Sequence, residues 1–256
     1  MVAGTDLPER TWEHVGVLAH SSEGGSACFR LLCQESFKEF GQYEHPDVSL
    51  DCIAFGRSMR AWDAGDHDAV RRILAVSIER LARADAAFFA CADNTAHMAL
   101  ERPGPDLALP GLHIAEVVAG RAQLEGRKRV GVLGTKYTMD GPLYPQALAA
   151  RGIAAELPDP DERRVINRII FEELVNGVFT DESLQEYLRI IERLEMRGCD
   201  AVALVCTEIP LLVAPEASPL PALDSTVLLA RAALDVAVGR RPMPTWRGGE
   251  VQRAEP

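Results

Sequence analysis

Two short apolar runs occur twice in this chain, at one spacing. VGVLAHSS begins at Val15 and VGVLGTKYT at Val130, while DAAFFAC ends at Cys91 and DAVALVC at Cys206; each pair is 115 residues apart. Two matches at a shared offset predict a duplicated half, hence two similar lobes with a cleft between them. Strand-like runs (14–20, 48–55, 85–91, 129–135, 152–158, 200–206) alternate with helical ones (26–41, 66–84, 183–198). That alternation predicts an α/β fold in which each lobe is a small parallel sheet flanked by helices. The first lobe is expected to span residues 1–105 and to be completed by 223–256, with a second lobe over 106–222. The tail GRRPMPTWRGGEVQRAEP (239–256), rich in Gly, Pro and charge, reads as loose.

Bulk properties narrow the partners. The 256 residues carry a formal net charge of −11, which gives no general attraction for phosphate backbones or anionic membranes. A small-molecule substrate is expected rather than nucleic acid or lipid. The N-terminal segment lacks the apolar core of a secretory signal, and no apolar run approaches the roughly 20 residues of a membrane span. Six cysteines with no CxxC pair predict reduced thiols and a cytoplasmic setting. The six histidines show no metal-ligand spacing, so no metal site is expected. GVLGTKYT lacks the Gly-Lys-Ser/Thr order of a P-loop, and no G-x-S-x-G elbow occurs.

The chemistry concentrates at two strand ends. Cys206 closes a buried strand and is followed by Thr207, Glu208, Ile209 and Pro210, a helix start. There the helix dipole and backbone N–H groups are expected to lower the thiol pKa. Cys28, Cys33, Cys52 and Cys199 read instead as ordinary buried thiols. In ACADNTAH (90–97), Asn94 or Thr95 is placed to cap a helix beginning at Ala96. A helix N-terminus is also a carboxylate site, and two facing each other would hold one small acid between them.

These segments resemble the aspartate/glutamate racemase superfamily, whose racemases work without pyridoxal phosphate. Its Cys-Asn-Thr-x-His signature is matched by Asp93-Asn94-Thr95-Ala96-His97, and its Cys-Thr-Glu by Cys206-Thr207-Glu208. GVLGTKYTM (131–139), PDPDERRVINRII (158–170) and LDSTVLLARAALD (223–235) are also similar to family segments, so the resemblance covers roughly 12–237. It implies a cofactor-independent racemase or epimerase of an aspartate- or glutamate-like amino acid, with an acid/base on each face of Cα. It further implies a homodimer as a candidate assembly.

Cys206 then supplies one acid/base. The other is Asp93 if Asn-Thr sets the alignment, or Cys91 if the strand start does; residues two apart on a strand share a face. Asp93 is preferred, giving an unsymmetrical carboxylate–thiol pair. Asn94, Thr95 and Thr207 are expected to hold the α-carboxylate, with Thr135, Tyr137, Thr138 and Ser21 as further substrate contacts. Arg164, with Arg163 as alternative, is expected at a distal carboxylate. His20 stands where the family has a glycine-rich turn; it reads equally as a pocket contact or a solvated loop residue. Two other functions use the same site: a single-cysteine decarboxylase, lyase or cis-trans isomerase of a small carboxylic acid, and a non-catalytic carboxylate binder.

Overall fold

The structure, a computed structural model, describes residues 11–253. Residues 1–10 and 254–256, which the domain reading assigns to the first lobe, lie outside the described residues. The first half contains β1 (Val15–Ala19), α1 (Ser22–Phe40), β2 (Val48–Cys52), α2 (Met59–Asp63), α3 (His67–Arg83), β3 (Phe88–Cys91), α4 (Ala96–Leu100) and β4 (Gly111–Leu112). After α5 (Ile114–Leu124) come β5 (Arg129–Leu133), α6 (Lys136–Asp140), α7 (Leu143–Ala149), β6 (Ala154–Glu156), α8 (Pro160–Glu172), α9 (Asp181–Met196), β7 (Ala201–Leu204), α10 (Ile209–Leu212) and β8 (Ala222–Asp224). Helix α11 (Ser225–Ala237) closes the order.

The strands form two four-stranded parallel sheets, ordered β2-β1-β3-β4 and β6-β5-β7-β8. Central strands β1, β3 and β7 are buried throughout, as parallel strands covered on both faces must be. Gly16 and Gly131 hold equivalent places in β1 and β5. A Cβ on Gly16 would meet Leu81 at 3.2 Å, and one on Gly131 would meet Leu194 at 2.8 Å, so each glycine lets a covering helix lie close on its sheet. The divide between halves differs from the expected one: β4 belongs to the first sheet although it follows residue 105, and β8 completes the second. Helix α11 returns to the first half, packing Leu229, Ala230 and Ala233 with Val15, Val17, Cys28 and Leu32. Among the described residues no helix is long and apolar enough to cross a membrane.

The register corrects the repeat. Val15 of β1 pairs with Phe88, and its counterpart Val130 of β5 pairs with Ala201. The first strands are therefore 115 residues apart, but the third strands 113 (201 less 88). Ala92 N–H on the Leu18 carbonyl and Val205 N–H on the Leu133 carbonyl repeat the same relation. The counterpart of Cys91 is thus Leu204, and the counterpart of Cys206 is Asp93. The match between the two cysteines is slid by two positions, which an apolar strand tolerates because its side-chain period is two.

The described part of the tail, residues 239–253, is not loose. Trp246 and Arg247 carbonyls accept from Gly111 (2.8 Å) and Leu107 (2.9 Å), and Gly249 N–H donates to the Leu100 carbonyl. Arg253 reaches Glu101 (2.6 Å) and Glu116 (2.8 Å). The Trp246 indole stacks on His97, with ring centroids 5.9 Å apart. Gly and Pro mark irregular backbone, and here irregular backbone is tied down by hydrogen bonds and one large aromatic anchor.

His97 links this strap to the Asp93–Asn94 turn. Its Nδ1 lies 2.8 Å from the Asp93 carbonyl, and the Ile114 N–H donates to its Nε2 (3.2 Å). A carbonyl only accepts, so Nδ1 carries the proton and Nε2 is the acceptor. Burial, helped by neighbouring His113, pushes the His97 pKa down from 6.5 to about 3. As pH falls below 6.5 the unfolded chain takes up a proton that the native one refuses until about 3, so stability is present above 6.5 and lost below it. Denaturant unfolding at pH 4.5 against pH 7 should show a loss on the order of 2–3 kcal/mol from this residue. In His97→Asn that part of the pH dependence should vanish.

Candidate active site

Strand order in each sheet reverses beside the first strand, and loops at the carboxyl ends of parallel strands make a crevice at such a switch point. The loops after β1, β3, β5 and β7 do so here. They line one cleft of about 540 Å³, shared between the halves, with Asp93 and Cys206 both in its wall. Helix α1 enters the same region: a Cβ on Gly24 would stand 2.8 Å from Thr207 Oγ1 and 2.9 Å from the Ala92 carbonyl. Gly24→Ala should therefore wedge α1 away from the loops after β3 and β7. The expected cost is about 1–3 kcal/mol of stability together with a drop in turnover, read by thermal unfolding and steady-state kinetics.

Asp93 Oδ1 accepts from Ala96 N–H at 3.1 Å, so the cap of α4 comes from Asp93 rather than from Asn94 or Thr95. Cys91 lies fully buried in the first-half core among Leu18, Phe89 and Leu100, does not line the cleft, and holds its thiol 3.8 Å from the Asp93 carbonyl. The Asn94 side chain is engaged at both ends. Tyr144 OH donates to its Oδ1, and its Nδ2 donates to Ser225 Oγ at 3.0 Å, so it ties the turn to α7 and α11. Thr95 Oγ1 stands 3.1 Å from both Thr135 Oγ1 and Thr138 Oγ1, across the two halves. Thr138 is buried behind this pair and does not line the cleft, whereas Thr95, Thr135, Tyr137 and Thr207 do. Among the described residues the backbone N–H groups of Asn94, Thr95 and Thr207 have no protein acceptor. Together with the Thr95 and Thr135 hydroxyls they can receive a carboxylate. Ser21 also lines the cleft, with its Oγ accepting from Gly24 N–H as the cap of α1.

Cys206 differs from expectation in its electrostatics. Its thiol donates to Glu208 Oε2 at 3.0 Å, and Thr207 Oγ1 donates to the same oxygen at 2.7 Å. Burial raises the thiol pKa well above its ordinary value, the Glu208 carboxylate raises it further by charge and hydrogen bond, and the Asp93 charge adds to this. The Glu208 backbone N–H opposes them and is outweighed. The short helix α10 therefore does not make a resting thiolate; Cys206 rests as a thiol aimed at a carboxylate. Sequence reasoning gave Glu208 no role, although it stands in the motif, because only the folded turn brings its oxygen back to the sulfur.

Several expected residues lie elsewhere. Arg164 is 73% exposed on α8 and pairs with Asp161. Arg163 pairs with Asp140, and both arginines line a second groove formed by α6 and α8. The buried face of α8 carries Glu162, Ile166, Ile169 and Ile170, and a residue two beyond Glu162 points the other way. Cys52, read as buried, is exposed and lines the cleft. His20 is a buried cleft residue rather than a solvated one.

The sequence pattern of the Asp/Glu/Hydantoin racemase family matches residues 31–233. A broad-specificity amino-acid racemase of Bacillus subtilis is 26% identical over 166 residues, 65% of this chain and 71% of that one. The fold is similar to the crystal structure of a Yersinia pestis protein assigned to the Asp/Glu racemases, with TM-score 0.78 and 30% identity, over 88% of this chain and 99% of that one. It is also similar to an aspartate racemase homologue from Pyrococcus horikoshii, with TM-score 0.74 and 26% identity, over 88% and 99% of the two chains. With two parallel sheets, a shared cleft at their switch points and a family match across most of its length, the chain belongs to the Asp/Glu/Hydantoin racemase family of isomerases.

Proposed function

We propose that this chain is a cofactor-independent racemase or epimerase that moves a proton at the carbon next to the carboxylate of a small amino acid. One observation carries the reading. Asp93 and Cys206 occupy equivalent positions two residues beyond β3 and β7, and both line the cleft that the two halves share. Inverting a stereocentre by proton transfer needs one group on each face of Cα, and a duplicated half supplies the two places.

In one direction the Asp93 carboxylate takes the Cα proton while the Cys206 thiol delivers its own to the opposite face. In the other, the pair starts from the opposite protonation state, the thiol proton having left by way of Glu208 across the 3.0 Å contact and Asp93 having been protonated; the thiolate abstracts the Cα proton and the Asp93 carboxyl delivers its own to the opposite face. Burial that raises the thiol pKa also makes that thiolate a stronger base, which suits a weakly acidic C–H. Charge developing on the substrate carboxylate is met by the N–H groups at Asn94, Thr95 and Thr207 and by the hydroxyls of Thr95 and Thr135. Asn94 and Thr138 position these groups.

Enantiopure amino acids incubated with the enzyme in deuterium oxide test the reading. Deuterium should enter Cα together with loss of optical purity. Turnover without exchange at Cα, or no exchange with any amino acid offered, would overturn it.

A further inference from the structure

We infer that the substrate is a zwitterionic amino acid with an uncharged, apolar side chain, not a dicarboxylic one; this rests on the racemase reading above. The charged residues lining the cleft are three carboxylates, Glu23, Asp93 and Glu208, and no lysine or arginine is among the described residues that line it. Arg163 and Arg164 line the separate groove of α6 and α8 and are paired with aspartates. Lys136 also lines that groove, with its ammonium over the Tyr137 ring at 4.8 Å from the centroid. A second substrate carboxylate would enter an acidic cleft without a counter-ion, where it meets only like charges. Phe55, Trp62, Ile170, Phe171 and Val175 supply the cleft with apolar surface from both halves. Such a wall is built to bury an apolar side chain.

His20 adds a second, independent indication. Its Nε2 is 2.7 Å from Ser58 Oγ, and the Ser58 hydroxyl donates to the Phe55 carbonyl at 3.0 Å. The serine proton being committed, Nε2 carries the hydrogen and donates to Ser58, and Nδ1 is the ring atom left over. That atom is buried and has no partner among the described residues. A buried polar atom in a cleft wall calls for a polar group from the ligand, and the α-ammonium of an amino acid is one. The three carboxylates favour the same cation.

The test is a matched panel. Leucine, methionine and phenylalanine are compared with aspartate and glutamate, each as both enantiomers, by Cα deuterium incorporation and chiral chromatography. We expect kcat/KM for the apolar set to exceed that for the acidic set on the order of 100-fold. In Phe171→Arg, a substitution at a half-buried site, the aspartate-to-leucine ratio should rise at least about tenfold as a cation enters the wall. Preferential turnover of aspartate or glutamate by the unmodified enzyme would overturn the inference and leave the racemase reading standing. An unchanged ratio in Phe171→Arg would overturn the assignment of that wall to the substrate side chain. Exchange with no member of the panel would remove the racemase reading itself.

Discussion

Cys206→Ser should lower kcat/KM by about 10³-fold or more, with the fold and thermal stability nearly unchanged. The hydroxyl is close in size to the thiol, and Glu208 Oε2, 3.0 Å from the sulfur, remains as its acceptor. What is lost is chemical: an alcohol is a far weaker acid than a thiol, so it neither delivers its proton to a carbanion nor becomes a base through Glu208. Glu208→Gln tests the coupling from the other side. Removing a charge that raises the thiol pKa should shift the alkaline limb of kcat/KM toward lower pH. Steady-state kinetics across pH, with thermal unfolding of each variant, checks both results. A Cys206→Ser enzyme within tenfold of the parent would mean that the thiol is a cleft ornament.

Asp93→Asn is expected to cost about 10²–10⁴-fold in kcat with little change in KM. The amide oxygen of Asn still accepts from Ala96 N–H, so the turn and the start of α4 stay in place. The carbonyl held by His97 is backbone and is untouched. Only the carboxylate's capacity to take a proton goes. The companion variant, Cys91→Ala, should alter kcat/KM little, because Cys91 packs in the core and does not line the cleft. If Cys91→Ala were the damaging change and Asp93→Asn the mild one, the strand register would be misleading as a guide to chemistry.

Particular residues show how far the sequence carried the reading. The α/β alternation and the two similar sheets follow from apolar strand runs and amphipathic helices, whose local pattern is the folding signal. The internal repeat was also legible, but its second match was two residues out of register. Cys91 and Cys206 end similar apolar runs, and only the pairing of β3 on β1 and β7 on β5 equates Asp93 with Cys206. Arg164 was misplaced because a charge next to a motif does not reveal its helix face. The buried positions 162, 166, 169 and 170 do reveal it, and they put residue 164 outside. The pKa of Cys206 was misjudged because a dipole argument knows nothing of a carboxylate folding back onto the sulfur. Phe55, Trp62 and Phe171 left no trace at all. They come from a loop after β2, a one-turn helix and the end of α8, segments that only the fold brings to one cleft. The tail hid its order for a similar reason: a strap with no regular structure is held by partners distant in the chain, Leu100, Leu107 and Gly111.

The central claim is that the two faces of Cα are served by unlike groups, a carboxylate at 93 and a thiol at 206. An amino acid with a leaving group on Cβ tests it most directly. Abstraction of the Cα proton is then followed by expulsion of the leaving group, so Cα–H and Cβ–X break, a C=C bond forms, and each enantiomer reports on one base alone. Asp93→Asn should keep elimination from the enantiomer whose hydrogen faces Cys206 and lose it from the mirror image, and Cys206→Ser should show the reverse. Loss of both eliminations, or retention of both, in either folded variant would contradict the account.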